Sequence, residues 1–291
     1  MAERVNKFGA SECRMGNLML KQRVITAAIL LVLFLLALFL LPTLGWAALM
    51  IIMVMQASLE WARLAKLSKN TISVYLWLTL VVMLGIVGLD TQYPEQFESL
   101  HMLIYGMSAL LWLVMVPLWL MARWHMRQPL LMMLTGWMLL IPTGLAMMDL
   151  RILNPWWLLG VIGLVWMADI AAYFSGRKFG KNKLAPNISP GKTWEGVFGA
   201  LLGVTVYVLL IVWTSGLFTN YEALPGMLIV SWGWVGLAVI GDLFESAIKR
   251  QAGVKDSGTL LPGHGGLLDR IDALTSTLPL AAMVILLQRV G

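Results

Sequence analysis

The chain has 291 residues, of which 59% are hydrophobic and 12% are charged, and its mean hydropathy is +0.81. This composition predicts a helical protein that crosses the membrane several times, and the alternating ~10-residue segments of a membrane β-barrel are absent. The net charge of +6 fits cytoplasmic loops rich in Lys and Arg, and no nucleic-acid-binding motif accompanies it. The only cysteine, Cys13, excludes an internal disulfide and a metal site made of cysteines alone.

The first 18 residues are polar and show no apolar periodicity, which is typical of a cytoplasmic tail. Met19 begins a short basic run directly before the first apolar segment, so the native chain could also begin there. Both interpretations remain open from the sequence. No small-residue cleavage site follows the first apolar segment, so we expect a retained helix rather than a signal peptide.

Apolar runs predict nine transmembrane helices and an all-α fold, since about 20 apolar residues suffice for one crossing. With the N-terminus in the cytoplasm, all but two of the 21 Lys and Arg residues fall on the cytoplasmic side, the exceptions being Arg151 and Arg289. The predicted spans are 24–41, 44–59, 72–89, 102–121, 130–148, 156–174, 194–213, 227–240 and 273–287.

Three segments follow from this pattern. After the polar tail 1–18, residues 19–150 hold spans one to five, which short loops connect. Residues 151–291 hold spans six to nine, where polar residues enter the apolar runs and the two longest cytoplasmic loops occur, and we expect this segment to be catalytic. No clear internal repeat is visible, which disfavours an inverted-repeat transporter.

Asp169 is the first residue with candidate chemistry, because it lies inside the sixth span near its cytoplasmic end. Ionisable residues at such depth usually mark functional sites. A structural ion pair with a nearby Lys or Arg is the alternative.

The loop before the seventh span contains Ser189-Pro-Gly-Lys192-Thr193. A phosphate-binding P-loop is excluded, because the required glycine five places before Gly191 is Pro186. Ser189 is predicted to cap the next helix, with Lys192 and Thr193 in its first turn, where a helix N-terminus favours anions. We therefore expect phosphate binding here, the alternative being a basic loop with an ordinary cap.

Acidic residues concentrate where the eighth span ends and the ninth begins. Asp242 and Glu245 share a helical face with Ser246 and Lys249, at positions i, i+3, i+4 and i+7. A second acidic pair opens the ninth span. Oxygen ligands of this kind suit Mg²⁺ rather than zinc. Together with the nearby cations, these carboxylates indicate phosphoryl or nucleotidyl transfer. The second pair is Asp269 and Asp272, and the cations are Lys249, Arg250, Lys255 and Arg270.

The stretch from Ser246 to Asp272 resembles the signature of the phosphatidate cytidylyltransferases, the CDP-diacylglycerol synthases. The likeness is specific from about residue 165 to 272, and elsewhere it is mainly one of hydropathy. The matching positions read Ser246-x-Ile248-Lys249-Arg250-x4-Lys255-Asp256-x-Gly258-x2-Leu261-Pro262-x-His264-Gly265-Gly266-Leu267-x-Asp269-Arg270-Ile271-Asp272, with Lys183-Leu-Ala-Pro, Ser189-Pro-Gly-Lys-Thr-Trp and Asp169-x-x-Ala-Tyr-x-x-Gly-Arg upstream.

The resemblance implies that phosphatidate attacks the α-phosphorus of CTP, giving CDP-diacylglycerol and pyrophosphate for phospholipid biosynthesis. It also implies Mg²⁺, with K⁺ as a possible second ion, a homodimer, and a multi-pass protein of the cytoplasmic membrane whose site faces the cytoplasm. The nucleophile is an ionised phosphate oxygen, so no general base is required.

Roles follow as hypotheses. The metal ligands would be Asp242, Asp269 and Asp272, with Glu245 and Asp256 as further candidates. Phosphate would be held by Ser189, Lys192 and Thr193, and CTP by Lys249, Arg250, Lys255 and His264, with Asp169 and Arg270 completing the substrate site. His264 fits a phosphate donor or a loop-structuring residue better than a base.

Three alternative functions predict other features of the sequence. A transporter predicts helices broken by Gly or Pro in both halves and charges at mid-membrane, whereas the charges here lie at helix ends on one side. A CDP-alcohol phosphotransferase predicts the pattern D-G-x2-A-R with a downstream G-x3-D-x3-D, which is absent. A purely structural membrane protein leaves the acidic pairs unexplained.

Overall fold

The computed structural model describes residues 25–215, 223–260 and 265–290. Within these ranges the chain is helical apart from one small sheet and the connections. The helices are α1 (Ile25–Leu40), α2 (Thr43–Leu64), α3 (Lys69–Gln92), α4 (Pro94–Leu110), α5 (Val116–Ala122), α6 (Pro129–Leu153), α7 (Pro155–Phe179), α8 (Trp194–Ser215), α9 (Leu224–Ala252) and α10 (Leu268–Val290), and the strands are β1 (Lys183–Ala185) and β2 (Ser189–Thr193).

The predicted all-α membrane fold is confirmed. In the described ranges, eight helical segments are long and apolar enough to cross a membrane, and α1 is a shorter apolar helix. Each of the nine predicted spans coincides with one of these segments. Residues 1–18, the alternative start at Met19 and His264 lie outside the described residues.

The fourth predicted span is a composite helix. A π-helical turn, Leu111–Met115, joins α4 to α5, and together they form one apolar segment from Ser99 to Ala122. Pro117 lies two residues after this turn. Because proline has no backbone N–H, the regular hydrogen-bond ladder is interrupted there, and a π-turn accommodates the interruption.

The larger of two hydrophobic clusters in the described residues runs through both halves of the chain, with buried residues from Leu38 to Leu286, and the smaller one lies between α7, α8 and α9. Two buried tryptophans of α2 fix this helix to α6, since Trp46 Nε1 donates to Met147 O (3.1 Å) and Trp61 Nε1 donates to Met132 O (2.7 Å). Each indole thus buries a large apolar surface while its N–H is satisfied. The predicted segments 19–150 and 151–291 therefore share their core.

Helices α7 and α8 pack at very short range because small residues line their contact. A Cβ at Gly199 would lie 1.9 Å from Ser175 Oγ, and one at Gly203 would lie 2.5 Å from Ala171 Cβ. Such close approach is the usual role of small residues between membrane helices. The contact fixes the position of the connection between the two helices.

That connection contains an antiparallel hairpin of β1 and β2, in which Lys183 pairs with Thr193 and Ala185 with Ser189. The prediction that Ser189 caps α8 is therefore wrong. Ser189 to Thr193 are extended strand residues, and the cap is Thr193, whose Oγ1 accepts from Gly196 N (3.2 Å). Periodicity could not reveal strands this short.

Candidate active site

Four polar side chains share one face near the C-terminal end of α9. Ser246 Oγ donates to Asp242 Oδ1 (3.3 Å), and Lys249 Nζ lies 3.5 Å from Glu245 Oε2. The shared face predicted from their spacing is confirmed. It points toward the first turn of α10, where the second acidic pair lies.

Lys249 connects the two helices. Its Nζ lies 2.7 Å from Asp269 Oδ1, and only 12% of its side chain is exposed. A partly buried lysine between two carboxylates is a charge-assisted contact that holds α9 against α10.

Asp269 also orders the loop before α10. Its Oδ2 accepts from Ser257 N (2.9 Å), Ser257 Oγ (3.0 Å) and Gly266 N (2.8 Å). Gly265 has a φ of +87°, and a Cβ there would lie 2.6 Å from this same oxygen. The glycine is needed both for the left-handed turn and for the space beside the carboxylate.

Asp272 lies one turn further along α10. Its Oδ1 accepts from Ala273 N (2.8 Å), and its carboxylate interacts electrostatically with Asp242 and Asp169. Glu245 faces it and is only 3% exposed, and neither of its oxygens accepts a hydrogen bond within the described ranges. Buried carboxylates at such proximity require a cation or a proton between them.

The hairpin contributes a cation to this cluster. Lys192 Nζ lies 2.6 Å from Asp242 Oδ2, which joins β2 to α9. A cavity of about 550 Å³ lies beside this pair, and Asp169, Ser189 and Thr193 are among its lining residues. Residues predicted separately from three parts of the sequence thus surround one cavity.

Other predicted residues lie at the edge of this cluster or beyond the described chain. Arg250 is exposed and donates to Ile188 O (3.4 Å) and Val254 O (3.3 Å). Lys255 and Asp256 are exposed in the loop after α9, and Arg270 is exposed on α10, where its charge interacts with Asp169. The placement of His264 is not described, so its role stays a prediction.

Glu60 of α2 is the residue that the sequence analysis missed. It is 1% exposed, and its carboxylate accepts hydrogen bonds from the start of α10. A signal was available, because Glu60 is a carboxylate at the end of an apolar span, as Asp169 is. Its partners are about 200 positions away in sequence, so the pairing itself carried no sequence signal.

The acidic residues offer oxygen ligands for a metal ion. Within the described ranges, no group of three or more His, Cys, Asp or Glu side chains is arranged to hold one. Among the described residues, neither oxygen of buried Glu245 accepts a hydrogen bond, and its carboxylate lies beside Asp272 and 3.5 Å from Lys249 Nζ. Oxygen-only donors of this kind are the set that Mg²⁺ prefers. Lysines pair with Asp242 and Asp269, so a cation would compete with ammonium groups at those two residues. The donor chemistry therefore fits Mg²⁺.

Comparison with known proteins gives matches over nearly the whole chain. The Cytidylyltransferase family matches residues 21–288. A phosphatidate cytidylyltransferase of Haemophilus influenzae is 37% identical over 279 residues, covering 90% of this chain and 96% of the relative. One of Pseudomonas aeruginosa is 38% identical over 273 residues, covering 92% and 97%. One of Thermotoga maritima is 44% identical over 126 residues, which cover 43% of this chain and 47% of that protein.

Proposed function

This chain belongs to the cytidylyltransferase family, and we propose that it transfers the cytidylyl group of CTP to phosphatidate. The proposed site consists of the acidic cluster, Asp242, Glu245, Asp269 and Asp272, and of the cavity beside the β1–β2 hairpin. The products are CDP-diacylglycerol and pyrophosphate. Membership of this family excludes two of the alternative functions, a transporter and a CDP-alcohol phosphotransferase. The observation that supports this location is the Lys192–Asp242 pair, which brings a cation from the hairpin to the carboxylates beside the cavity.

The reaction requires positioning and charge neutralisation more than proton transfer. An ionised phosphate oxygen of phosphatidate forms a bond to the α-phosphorus of CTP, the bond from that phosphorus to the bridging oxygen breaks, and pyrophosphate leaves. Both reactants are anions, so the site must offset their repulsion and align the attack. The absence of a Ser-His-Asp arrangement among the predicted site residues is consistent with this chemistry.

Mg²⁺ would be held by Asp242, Glu245 and Asp272, whose carboxylates interact electrostatically across α9 and α10. They are not arranged as a three-ligand site in the described residues, so binding of the ion would draw them together. Bound there, it would supply positive charge that offsets the repulsion between the two anionic substrates. Asp269 as a ligand stays a prediction. A cation that bound its Oδ1 would have to displace the Lys249 ammonium, which donates to that oxygen. K⁺ as a second ion and Asp256 as a further ligand also stay predictions.

The hairpin supplies the phosphate-binding groups. Lys192 and Ser189 line the cavity, and Thr193 fixes the start of α8 beside them. The Lys192 ammonium can exchange Asp242 for a substrate phosphate, because a carboxylate and a phosphate both offer anionic oxygens to a cationic donor. Lys249 is placed for the same exchange on the α10 side.

We place the site at the cytoplasmic face of the membrane. The Lys and Arg residues support this orientation, because all but two of the 21 lie on the side of the hairpin in the nine-span arrangement. Such a site receives CTP from the cytosol and phosphatidate from the adjacent leaflet. The bacterial relatives indicate the cytoplasmic membrane. A homodimer remains a prediction.

The test is an assay of purified protein with phosphatidate micelles, radiolabelled CTP and Mg²⁺. We expect a labelled lipid to form, and its formation to stop when EDTA removes the metal and resume when Mg²⁺ is restored. Omission of phosphatidate is the control. Labelled lipid that persists at full rate in EDTA would disprove the metal proposal while leaving the transfer reaction intact.

A further inference from the structure

The carboxylate of Glu60 is saturated with hydrogen bonds from two distant parts of the chain. Oε1 accepts from Leu267 N (3.0 Å) and Gln56 Nε2 (2.8 Å), and Oε2 accepts from Leu268 N (2.8 Å) and Ser257 Oγ (3.0 Å). Three of these four donors belong to the loop before α10, which holds Ser257 and Leu267, and to Leu268, the first residue of α10. We propose that Glu60 is a positioning residue for the cytidylyl transfer, an inference that rests on the proposed function.

The contact with α10 is that of a helix cap supplied by another helix. The first amides of a helix have no partner inside it, and a negative charge beside them is favoured by the helix dipole. The Glu60 carboxylate accepts hydrogen bonds from the backbone amides of Leu267 and Leu268, the two residues directly before Asp269. It therefore fixes the direction in which α10 begins, and with it the first turn that carries Asp269 and Asp272.

Ser257 extends this control to the acidic cluster. Its hydroxyl lies 3.0 Å from Glu60 Oε2 and 3.0 Å from Asp269 Oδ2, and the residue is 6% exposed. A hydroxyl has one proton, so it donates to one of the two carboxylates at a time. Glu60 and Asp269 thus compete for the Ser257 hydroxyl, so the position of each carboxylate depends on that of the other.

The loop closes tightly around Glu60. A Cβ at Gly266 would lie 2.4 Å from Glu60 Oε2, and one at Gly258 would lie 3.1 Å from Oε1. Because glycine has no Cβ, the backbone at these two positions can approach the carboxylate closely. This part of the loop therefore packs directly against the Glu60 carboxylate.

Replacing Glu60 by Gln keeps the volume but presents an NH₂ group where backbone and hydroxyl donors now point. At least one of those donors loses its acceptor, so the start of α10 loosens. Loss of a residue that orients metal ligands typically costs 10- to 100-fold in metal affinity. We expect E60Q to raise the Mg²⁺ concentration for half-maximal activity by about 10-fold and to lower kcat. E60D keeps the charge and should recover part of both.

Two measurements on the full-length purified protein test the proposal. The first is the initial rate of labelled-lipid formation as Mg²⁺ and CTP are varied separately, for wild type, E60Q and E60D. The second is hydrogen–deuterium exchange of the peptide around residues 265–272 without metal, where E60Q should exchange faster. D149N is the control, because Asp149 is another largely buried carboxylate, 11% exposed, that is bonded to His101 and Tyr105 and does not contact the site. It should lower stability without changing the Mg²⁺ requirement.

An E60Q protein with wild-type Mg²⁺ dependence and wild-type exchange would overturn the proposal, as would one that loses only stability, as D149N is expected to. If E60Q does not fold, S257A removes only the hydroxyl between the two carboxylates and should shift the Mg²⁺ requirement in the same direction by a smaller factor. An unchanged S257A would then refute the proposal. Wild-type protein that makes no labelled lipid would instead refute the proposed function.

Discussion

Lysine–carboxylate pairs hold the site together at the scale of single residues. Lys192 lies 2.6 Å from Asp242, and Lys249 lies 2.7 Å from Asp269. Both lysines are only partly exposed, with 23% and 12% of their side chains accessible, so their charges are weakly screened by solvent. Each is placed to hold the carboxylates together in the free protein and to bind phosphate when the substrates enter.

Replacing Lys192 by Met keeps the length of the side chain and removes its charge. We expect kcat/KM for CTP to fall about 100-fold, the typical cost of removing one group that stabilises developing charge. The measurement is the initial rate of labelled-lipid formation at several CTP concentrations. K181M is the matched control, because Lys181 is an exposed cation of the same connection, and its activity should be close to wild type. Equal activity of both variants would contradict the role of Lys192.

The α7–α8 pair is the element on which the hairpin depends. Gly199 and Gly203 allow the two helices to touch, and the hairpin between them carries Lys192 to Asp242. Asp169 lies on α7 and lines the same cavity. Any change that separates these helices should therefore affect the site, although the contact is remote from the reacting atoms.

Gly199→Val tests that dependence. A Cβ at this position would lie 1.9 Å from Ser175 Oγ, so the helices must move apart, and overpacking of this kind costs about 1–3 kcal/mol. We expect a lower unfolding temperature together with lower activity, measured by thermal unfolding and by labelled-lipid formation. Gly233→Val on α9 is the control, since a Cβ there meets no atom within 4 Å. Full activity in G199V would show that the close contact is dispensable.

The helices could be predicted from the sequence because each crossing needs a long apolar run, which composition alone reveals. The hairpin could not, because its two strands have only three and five residues and leave no periodic pattern. Ser189 and Lys192 both lie in the five-residue strand β2. For the same reason, the sequence predicts Thr193 in the first turn of α8, whereas it lies directly before the helix and caps it. Sequence periodicity does not predict backbone conformation where tertiary contacts, such as that of Lys192 with Asp242, determine it.

The acidic site could be predicted in part. The spacing of Asp242, Glu245 and Lys249 on one helix was sufficient to place them on one face, since helical geometry is local. The contribution of Glu60 depends on how α2 packs against the start of α10, which no spacing rule contains. The pairing of Lys192 with Asp242 likewise required the fold.

The whole molecule has its chemistry at one end of the bundle. The acidic cluster, the hairpin and Glu60 lie at the end where α2 and α9 finish and α10 begins. α3 runs from this end to the other, and its 24 residues span about 36 Å at the usual helical rise. A protein that joins a cytosolic nucleotide to a membrane lipid needs this one-sided arrangement, because both substrates must reach the same carboxylates.

Cysteine labelling tests which side that end faces. Cys13 is the only native cysteine, so a C13S background accepts single cysteines at Lys181, beside the hairpin, and at Gln92, where α3 ends. Both positions are exposed. We expect a membrane-impermeant maleimide to label K181C in inside-out vesicles and Q92C in intact spheroplasts, because the hairpin end carries most of the Lys and Arg residues. Permeabilised membranes, in which both should react, are the control. The reverse pattern would place the carboxylates outside the cell, away from CTP, and would contradict the proposed orientation.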